Sequence, residues 1–248
     1  MSLLKDEGVV LSARSFGEAD SCLTIFTRHS GKKSYIVKNI RKSKKRSLLI
    51  AQPGTITEFA AYCNQNKNCA YISDFSIISS AENICCDLKK IYYLHLIIEL
   101  VLQTSPENEK LTFVYLCLIK TIEILKTEND EVFLSLFFLL QLIKNGGILP
   151  DLNNCGCCGT DILNTAFFSF TEYAFYCENC GNSKYLKFNV DSENMNYIRE
   201  IVRSKYRDIY SKKKASAENL KILLGVLDYI ERYYNISLKS KSCILQIC

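Results

Sequence analysis

The first 80 residues alternate between short apolar runs and polar turns. Five runs rich in Val, Ile, Thr, Phe and Tyr cover residues 8–15, 22–28, 34–40, 55–63 and 71–78. This pattern is typical of β-strands, and the His-Ser-Gly-Lys sequence at residues 29–32 predicts a hairpin turn between the second and the third. Five short strands predict a small barrel, for which an OB-type Greek-key barrel is favoured and an SH3-like barrel is the alternative.

From residue 83 onward the apolar period becomes helical. Apolar residues recur every three or four positions over residues 83–103, 109–126, 130–145, 193–206 and 216–234. The third of these segments is apolar on almost every face, so we expect it to be buried. Gly146 and Gly147 follow it and predict its end.

Four cysteines between the third and fourth predicted helices have the spacing of a metal site. Cys155 and Cys158 form one C-x2-C pair, Cys177 and Cys180 form another, and eighteen residues separate the pairs. This spacing predicts structural zinc, held by four thiolates at about 2.3 Å. Disulfides and a chance spacing are the alternatives in a chain with 13 cysteines. With four protein ligands, the predicted site is structural rather than catalytic.

Three residues inside and after these pairs refine the prediction. Cys157 lies within the first pair and is an alternative ligand, although the choice of Cys158 keeps the two pairs alike. Gly159 and Gly181 each follow the second cysteine of a pair, where a chain that turns away from a metal often needs positive φ.

The two periods and the cysteines together predict the fold class. We expect an α+β, multi-domain protein with an N-terminal five-stranded OB-type β-barrel followed by a helical domain carrying an inserted four-cysteine zinc knuckle. The predicted domains are residues 1–80, an OB-fold nucleic-acid-binding domain, and 81–248, a helical domain with a zinc-binding segment at 150–188.

The excess positive charge lies in the first quarter of the chain. Residues 1–60 hold eleven Lys/Arg against five Asp/Glu, and the rest of the chain is close to neutral. Residues 38–46 (KNIRKSKKR) contain six cations and no acid, which favours contact with phosphates over a merely solvated loop. The predicted nucleic-acid-binding residues are Arg14, Lys32, Lys33, Lys38, Arg41, Lys42, Lys44, Lys45 and Arg46.

Other candidates are less specific. Phe16 and Tyr35 are aromatic residues near this surface that could stack bases, but strand aromatics are more often core, which is the favoured interpretation. Residues 212–214 are three lysines that suit a phosphate contact and a solvated loop equally well. Phosphate-loop, hydrolase and zinc-protease motifs are absent from the sequence, so no enzyme is predicted.

The cellular location is predicted from further absences in the sequence. The N-terminal residues lack the apolar stretch of a signal peptide, and the longest apolar runs are too short to cross a bilayer. Thirteen cysteines, some of them adjacent, together with the lack of a signal peptide favour a reducing compartment. We therefore expect a cytoplasmic protein, associated with the nucleoid if it binds DNA.

Several segments distributed over nearly the whole chain are similar to those of one known family. In the first part the similar segments are residues 8–11, 17–20 leading into 24–27, and 29–32, followed by the basic segment from Lys38 to Gln52-Pro53. In the second part, residues 147–152 lead into the first cysteine pair, and Phe168-Ser169 precedes the second. Residues 229–242 are similar to the family's closing helix and tail. On these segments the chain resembles the bacterial recombination mediator family RecO.

The chain departs from the family's pattern at three places. Asn39 stands where the family usually has glycine, Cys157 is an additional cysteine, and residues 172–174 (Glu-Tyr-Ala) replace a frequent glycine pair. The resemblance implies an OB domain, a zinc-bearing helical domain and a role in homologous recombination and the repair of DNA damage, and with no catalytic motif found we expect that role to be non-enzymatic. It also implies binding to single- and double-stranded DNA, strand annealing, partnership with RecR and the single-stranded DNA-binding protein, and help in loading the recombinase.

One other function fits part of the sequence, and a third does not. A zinc-stabilised protein-interaction module with an incidental basic loop is the alternative to a DNA-binding mediator. A zinc-dependent nuclease or deaminase would need an open metal position, which four cysteine ligands do not leave.

Overall fold

Five strands close into a barrel in the first part of the chain. The computed structural model describes residues 2–42, 48–63, 70–181, 187–206, 208 and 216–247. The barrel strands are β1 (Ser2–Phe16), β2 (Asp20–Thr27), β3 (Gly31–Val37), β4 (Ile56–Cys63) and β5 (Ala70–Ser79). Their order is β1-β2-β3-β5-β4, and β1 also pairs with β4, which closes the barrel.

The strand pairing identifies the barrel as the OB type and not the SH3-like alternative. All neighbours are antiparallel except β3 and β5, which run parallel. The first half of β1 pairs with β4 and its second half with β2, so one long strand closes both sides. The predicted OB-type barrel and the turn after β2 are therefore confirmed, and β1 begins six residues earlier than expected.

The barrel interior is filled by alternate residues of all five strands. Its buried cluster includes Val10, Leu23, Tyr35, Phe59 and Ile72. The rings of Tyr35 and Phe59 meet edge to face with centroids 4.7 Å apart. Because successive side chains of a strand point to opposite faces, the residues between these face outwards. Short 3-10 helices follow β3 and precede β4, at Ile40–Lys42 and Leu49–Ala51.

Seven helices occur in the described parts of the chain. They are α1 (Leu88–Thr104), α2 (Thr112–Thr127), α3 (Glu131–Asn145), α4 (Glu178–Gly181), α5 (Ser192–Arg203), α6 (Ser216–Tyr234) and α7 (Lys239–Ile247). Five of these match the predicted helices, and every residue of α3 from Glu131 to Gln141 is buried, as expected. A further 3-10 helix at Ile84–Cys86 precedes α1, so the first predicted helix begins later than expected.

The chain divides into two compact units. The first is Met1–Glu131 together with Leu238–Cys248, and the second is Val132–Ser237. The first unit contains the barrel, α1, α2 and α7, and the second contains the cysteine pairs. The domain boundary predicted at residue 80 stays a prediction. None of the helices in the described ranges combines the length and apolar character needed to cross a membrane.

In the first unit, α2 packs on the outside of the barrel. The rings of Phe26 on β2 and Tyr115 on α2 lie 6.4 Å apart between centroids. The Tyr115 hydroxyl donates to Oε1 of Glu7 on β1 at 2.6 Å. Burial, followed by this contact with Glu7, raises the pKa of Tyr115, so the hydroxyl keeps its proton and remains a donor.

The second unit contains a small sheet that the sequence pattern did not predict. Its strands are β6 (Ala166–Ser169), β7 (Ala174–Tyr176) and β8 (Lys187–Val190), in the order β7-β6-β8. Both pairs are antiparallel. Strands β6 and β7 lie between the two cysteine pairs in sequence, and the second pair begins directly after β7.

Candidate metal centre and nucleic-acid interface

The two cysteine pairs converge on one point in the second unit. The Sγ atoms of Cys155, Cys158, Cys177 and Cys180 all lie within 4.8 Å of one another. A tetrahedron with bonds of about 2.3 Å has edges of about 3.8 Å. The Sγ atoms of Cys158 and Cys177 are 3.8 Å apart, which is that edge length. Four cysteines are thus close enough to hold one metal ion.

Backbone turns bring each pair into this arrangement. Gly159 donates its N–H to the carbonyl oxygen of Cys155 at 2.9 Å, and Gly181 donates to that of Cys177 at 2.8 Å. Gly159 has φ +71°, as predicted. Gly181 does not have a positive φ, so the predicted reason for a glycine at this position was wrong. The glycine is required for space, because an added Cβ would lie 2.5 Å from the Phe167 ring.

The protonation of the sulfurs reflects their crowding. Hydrogen bonds from Thr160 lower the pKa of Cys158 to about 6. Hydrogen bonds with Cys158 and then Cys177 raise the pKa of Cys180. Four sulfurs this close cannot all carry negative charge by themselves, whereas a bound divalent cation makes every coordinating thiol a thiolate. The donor set therefore fits a cation that prefers soft ligands.

Cys157 differs from its neighbours. Its backbone N–H points to Sγ of Cys155 at 3.5 Å, and its side chain is exposed. The group of four sulfurs does not include it. Cys157 therefore supports a ligand through its backbone, and Cys155 and Cys158 remain the better ligand pair.

Arg199 on α5 fixes the segment that carries the first pair. Its guanidinium donates to the carbonyl oxygen of Leu152 at 2.6 and 2.9 Å and to that of Ile162 at 2.9 Å. These carbonyls flank the first cysteine pair on both sides. The sequence pattern did not indicate this role, because no local motif relates an arginine to carbonyls about 40 residues away.

The structure brings several of the predicted cationic residues to one end of the barrel. Arg14, Lys38, Arg41 and Lys42 are exposed near the β1–β2 turn and the end of β3. The two segments are joined, because Arg41 donates its N–H to the carbonyl of Ala19 at 3.0 Å. The Arg41 side chain also reaches the carbonyl of Gly17 at 3.5 Å.

Asn39 shapes this junction. Its backbone has φ +55°, and its N–H donates to Oδ1 of Asp20 at 2.7 Å. Asparagine adopts this left-handed conformation more readily than most residues. The position that departs from the family's usual glycine thus keeps the backbone conformation that a glycine would favour.

Lys32 and Lys33 lie elsewhere on β3. Lys32 is half-buried, and its ammonium donates to the carbonyl oxygen of Leu102 near the end of α1 at 2.6 Å. Burial lowers its pKa, and Glu107 opposes that shift. Lys33 is half-buried beside Ile25 of β2. Their phosphate contacts stay predictions, and the contact with Leu102 already gives Lys32 a structural role.

Three of the predicted contacts cannot be placed. Lys44, Lys45 and Arg46 lie outside the described residues. So do residues 212–214. Of the two candidate aromatics, Tyr35 is fully buried in the barrel, as favoured, whereas Phe16 is 47% exposed, so its interpretation as core was wrong.

These features define a class of protein: an OB-type barrel with exposed cations, followed by helices and a knuckle of four cysteines. The chain belongs to the recombination protein O family. The family's N-terminal model matches residues 1–81 and its C-terminal model matches residues 85–242.

Curated relatives agree over most of the chain. The DNA repair protein RecO of Caldanaerobacter subterraneus subsp. tengcongensis is 26% identical over 249 residues, which cover 100% of this chain and 99% of that protein. The protein of the same name from Alkaliphilus metalliredigens is 30% identical over 191 residues, 76% of this chain and 77% of that protein. That from Streptococcus agalactiae is 27% identical over 244 residues, 98% and 95% of the two chains.

Proposed function

We propose that this protein is a non-enzymatic, DNA-binding mediator of homologous recombination and DNA repair. Its family membership supports a role in DNA repair and recombination. The observation that carries the binding part is the group of exposed cations Arg14, Lys38, Arg41 and Lys42 at one end of the barrel. After Lys42 and Ser43 the chain continues into Lys44, Lys45 and Arg46, which makes this the most cationic part of the sequence.

The proposed mechanism is charge neutralisation. Two complementary strands repel each other through their phosphates, and a cationic surface that binds both lowers this repulsion while the bases pair. The protein would thereby bind single- and double-stranded DNA, promote annealing and, with RecR and the single-stranded DNA-binding protein, help to load the recombinase. These partners are what the resemblance to the family implies, and we expect the protein in the cytoplasm with the nucleoid.

The metal held by the knuckle is proposed to be zinc, in a structural role. Soft thiolate ligands select zinc, and four of them fill its tetrahedral positions. No coordination position is then left for a catalytic water, which supports a non-enzymatic function. The four cysteines would hold the ion and join the end of β7 to the segment before β6.

The binding function is tested by fluorescence anisotropy with a labelled single-stranded oligonucleotide at about 50 and about 200 mM salt. Tight binding should fall steeply, with a slope of about −0.7 in log K against log salt for each phosphate contacted. The variant with Lys44, Lys45 and Arg46 all changed to Glu should lose its affinity for the oligonucleotide and retain its binding to RecR.

A matched control is the variant with Arg203, Lys205 and Lys221 all changed to Glu, because it changes the net charge by the same amount at exposed cations of the second unit. It should lose much less DNA affinity. Equal losses in the two variants, or binding that does not depend on salt, would contradict the proposed role of the barrel cations.

A second candidate, a zinc-stabilised protein-interaction module, has one observation in its favour. The second unit contains an apolar pocket of about 50 Å³ whose lining includes Leu149, Pro150, Phe168 and Val226. If docking of proteins is the main activity, the Lys44/Lys45/Arg46 variant should function normally in RecR binding and DNA repair.

A further inference from the structure

One row of side chains crosses the outside of the barrel. The pairing registers join one residue of each strand to the next, and β1 contributes a residue at both ends. Paired residues point to the same face of a sheet. We call this the outer row, and its members in order are Leu3, Tyr62, Tyr71, Ile36, Cys22 and Arg14.

The outward direction of the row follows from its neighbours along each strand. Ala61, Ala70, Ile72, Tyr35 and Val37 belong to the buried cluster inside the barrel. Because side chains alternate along a strand, the residues next to them point outwards. Tyr62, Tyr71 and Ile36 are those residues.

One end of the outer row is apolar and open to solvent. Leu3 is 54% and Tyr62 is 44% exposed, and Tyr71 beside them is half-buried. Directly paired residues of neighbouring strands have Cβ atoms about 5 Å apart, so the two tyrosines are adjacent. Contiguous exposed apolar side chains of this kind commonly mark a binding surface.

The remainder of the row is flanked by cations. The Lys38 ammonium lies over the Tyr71 ring, 5.3 Å from its centroid. At the far end, Nη2 of Arg14 lies 3.8 Å from Sγ of Cys22. Ile36 and Cys22, between these cations, are buried. The two tyrosines therefore lie at one end of the row with Lys38 over Tyr71, and Arg14 lies at the other end.

We propose that Tyr62 and Tyr71 form a base-stacking platform for single-stranded DNA, and that Lys38 and Arg14 bind the phosphates of the stacked nucleotides. This inference rests on the DNA-binding function proposed above and assigns it to a surface. A single strand presents the two groups that the row complements, planar base faces and regularly spaced phosphates. A duplex keeps its base faces stacked inside, so it can use only the cations.

Lys38 has a distinct part in this arrangement. A base stacked on an aromatic ring is held more strongly than an exposed ammonium over the same ring. The base therefore takes the face of Tyr71, and the flexible Lys38 side chain moves to the adjacent phosphate. Binding should then depend on Tyr71 through its ring and on Lys38 through its charge.

The test separates ring from charge by binding of labelled oligothymidylate over a series of salt concentrations. Tyr71→Leu and Tyr62→Leu should each lower affinity about tenfold without changing the salt slope, because stacking releases no counterions. Tyr71→Phe keeps the ring and should bind like the unchanged protein. Lys38→Gln should reduce the magnitude of the slope by about 0.7.

A matched control is Tyr233→Leu in the second unit. Tyr233 is 44% exposed, as is Tyr62, and lies on α6 rather than on the barrel. It should leave affinity unchanged. A general loss of affinity through altered folding is excluded if Tyr71→Leu and the unchanged protein melt at the same temperature.

An oligonucleotide of the same length with abasic sites completes the design, because it keeps the phosphates and removes the bases. The Tyr62→Leu/Tyr71→Leu variant should bind intact oligothymidylate more weakly than the unchanged protein does, and the two proteins should bind the abasic strand equally. Equal losses on both strands, or no loss on either, would overturn the platform.

The failure of this inference differs from the failure of the proposed function. If the unchanged protein binds no single strand even at low salt, both fail. If it binds with a steep salt dependence and the tyrosine variants bind as tightly, only the platform fails. That second result is also expected if the occupant of the row is an acidic protein segment.

Discussion

Glu99 on α1 holds the first turn of α7 through Ser240, which lies 141 residues further along the chain. Its Oε2 accepts from the backbone N–H of Ser240 at 2.9 Å and from the hydroxyl at 2.5 Å. Its Oε1 accepts from the N–H of Lys239 at 3.0 Å. The carboxylate therefore satisfies N–H groups that a helix start leaves without partners, and its charge suits that end of the helix dipole.

Glu99→Gln should lower the free energy of unfolding by about 1–2 kcal/mol at pH 7, because the amide lacks the charge and replaces one accepting oxygen with an NH2 group that cannot accept. Burial raises the pKa of Glu99, but the hydrogen bonds from Ser240 and Lys239 outweigh it and lower the pKa overall. A carboxyl with a lowered folded pKa stabilises the protein above its unfolded value of about 4.3 and loses that effect as pH falls through its folded pKa.

The advantage of the unchanged protein over Glu99→Gln should accordingly be complete above about pH 5 and shrink below about pH 4. Urea denaturation at several pH values measures it. Glu109→Gln, which alters an exposed carboxylate in the same unit, is the control and should change little. An advantage that stays constant down to about pH 3 would contradict the proposed role of the charge.

Cys155→Ser should remove the metal and destabilise the second unit by several kcal/mol. Structural zinc contributes about 10 kcal/mol or more in zinc-finger peptides, because metal binding and folding are coupled. Metal content and the melting temperature are the measurements. Cys157→Ser is the matched control, because it also replaces a cysteine sulfur by oxygen, two residues away, and should retain the metal. Loss of metal in Cys157→Ser alone would reverse the ligand assignment.

Gly31→Ala should be among the most damaging substitutions in the barrel. An added Cβ would overlap the backbone carbonyl group of Glu109, and φ is +70°. The clash and the left-handed backbone together should cost about 3 kcal/mol or more. Gly17→Ala separates the two causes, since φ there is +63° but no atom lies within 4 Å. It should cost only about 1 kcal/mol in thermal or urea unfolding.

Lys32→Met and Lys42→Met should differ in their effect on stability, although both remove one positive charge from the same part of the chain. Lys32 holds the end of α1 through Leu102, so its loss should lower stability by about 1 kcal/mol. Lys42 is exposed, so its loss should leave stability unchanged and reduce the magnitude of the slope by about 0.7. A slope altered by Lys32→Met would show that Lys32 also contacts phosphate.

The barrel and the long helices were predictable from the sequence because burial imposes a regular period on their residues. The alternation of buried apolar and exposed polar residues is interrupted in the first half of β1. There Asp6 pairs with Phe59 of β4 and is only 6% exposed. A hydrogen bond from the Ser30 hydroxyl at 3.0 Å and another from the Glu7 N–H at 2.9 Å hold its carboxylate. In the sequence, a buried acid whose partner is 24 residues away cannot be distinguished from an exposed one. The strand was therefore expected to begin after Asp6.

The small sheet was missed for another reason. Its strands have three or four residues, too few for alternation to be recognised. The turn between β6 and β7 contains Tyr173 at φ +54°, in the segment that replaces the family's glycine pair. Its ring lies 5.7 Å from that of Tyr229 and 5.4 Å from that of Tyr233, contacts that no local rule provides. The four clustered cysteines, in contrast, are close in sequence within each pair, so their spacing alone was informative.

The return of α7 to α1 has a consequence for the order in which the protein can be assembled during synthesis. Residues 132–237 emerge between the two parts of the first unit, and they form a compact unit of their own. The ribosome must therefore complete the second unit before the partner of Glu99 exists. During that interval α1 lacks its contact with α7, and the first unit is open to chaperones and proteases for longer than its position at the start of the chain suggests.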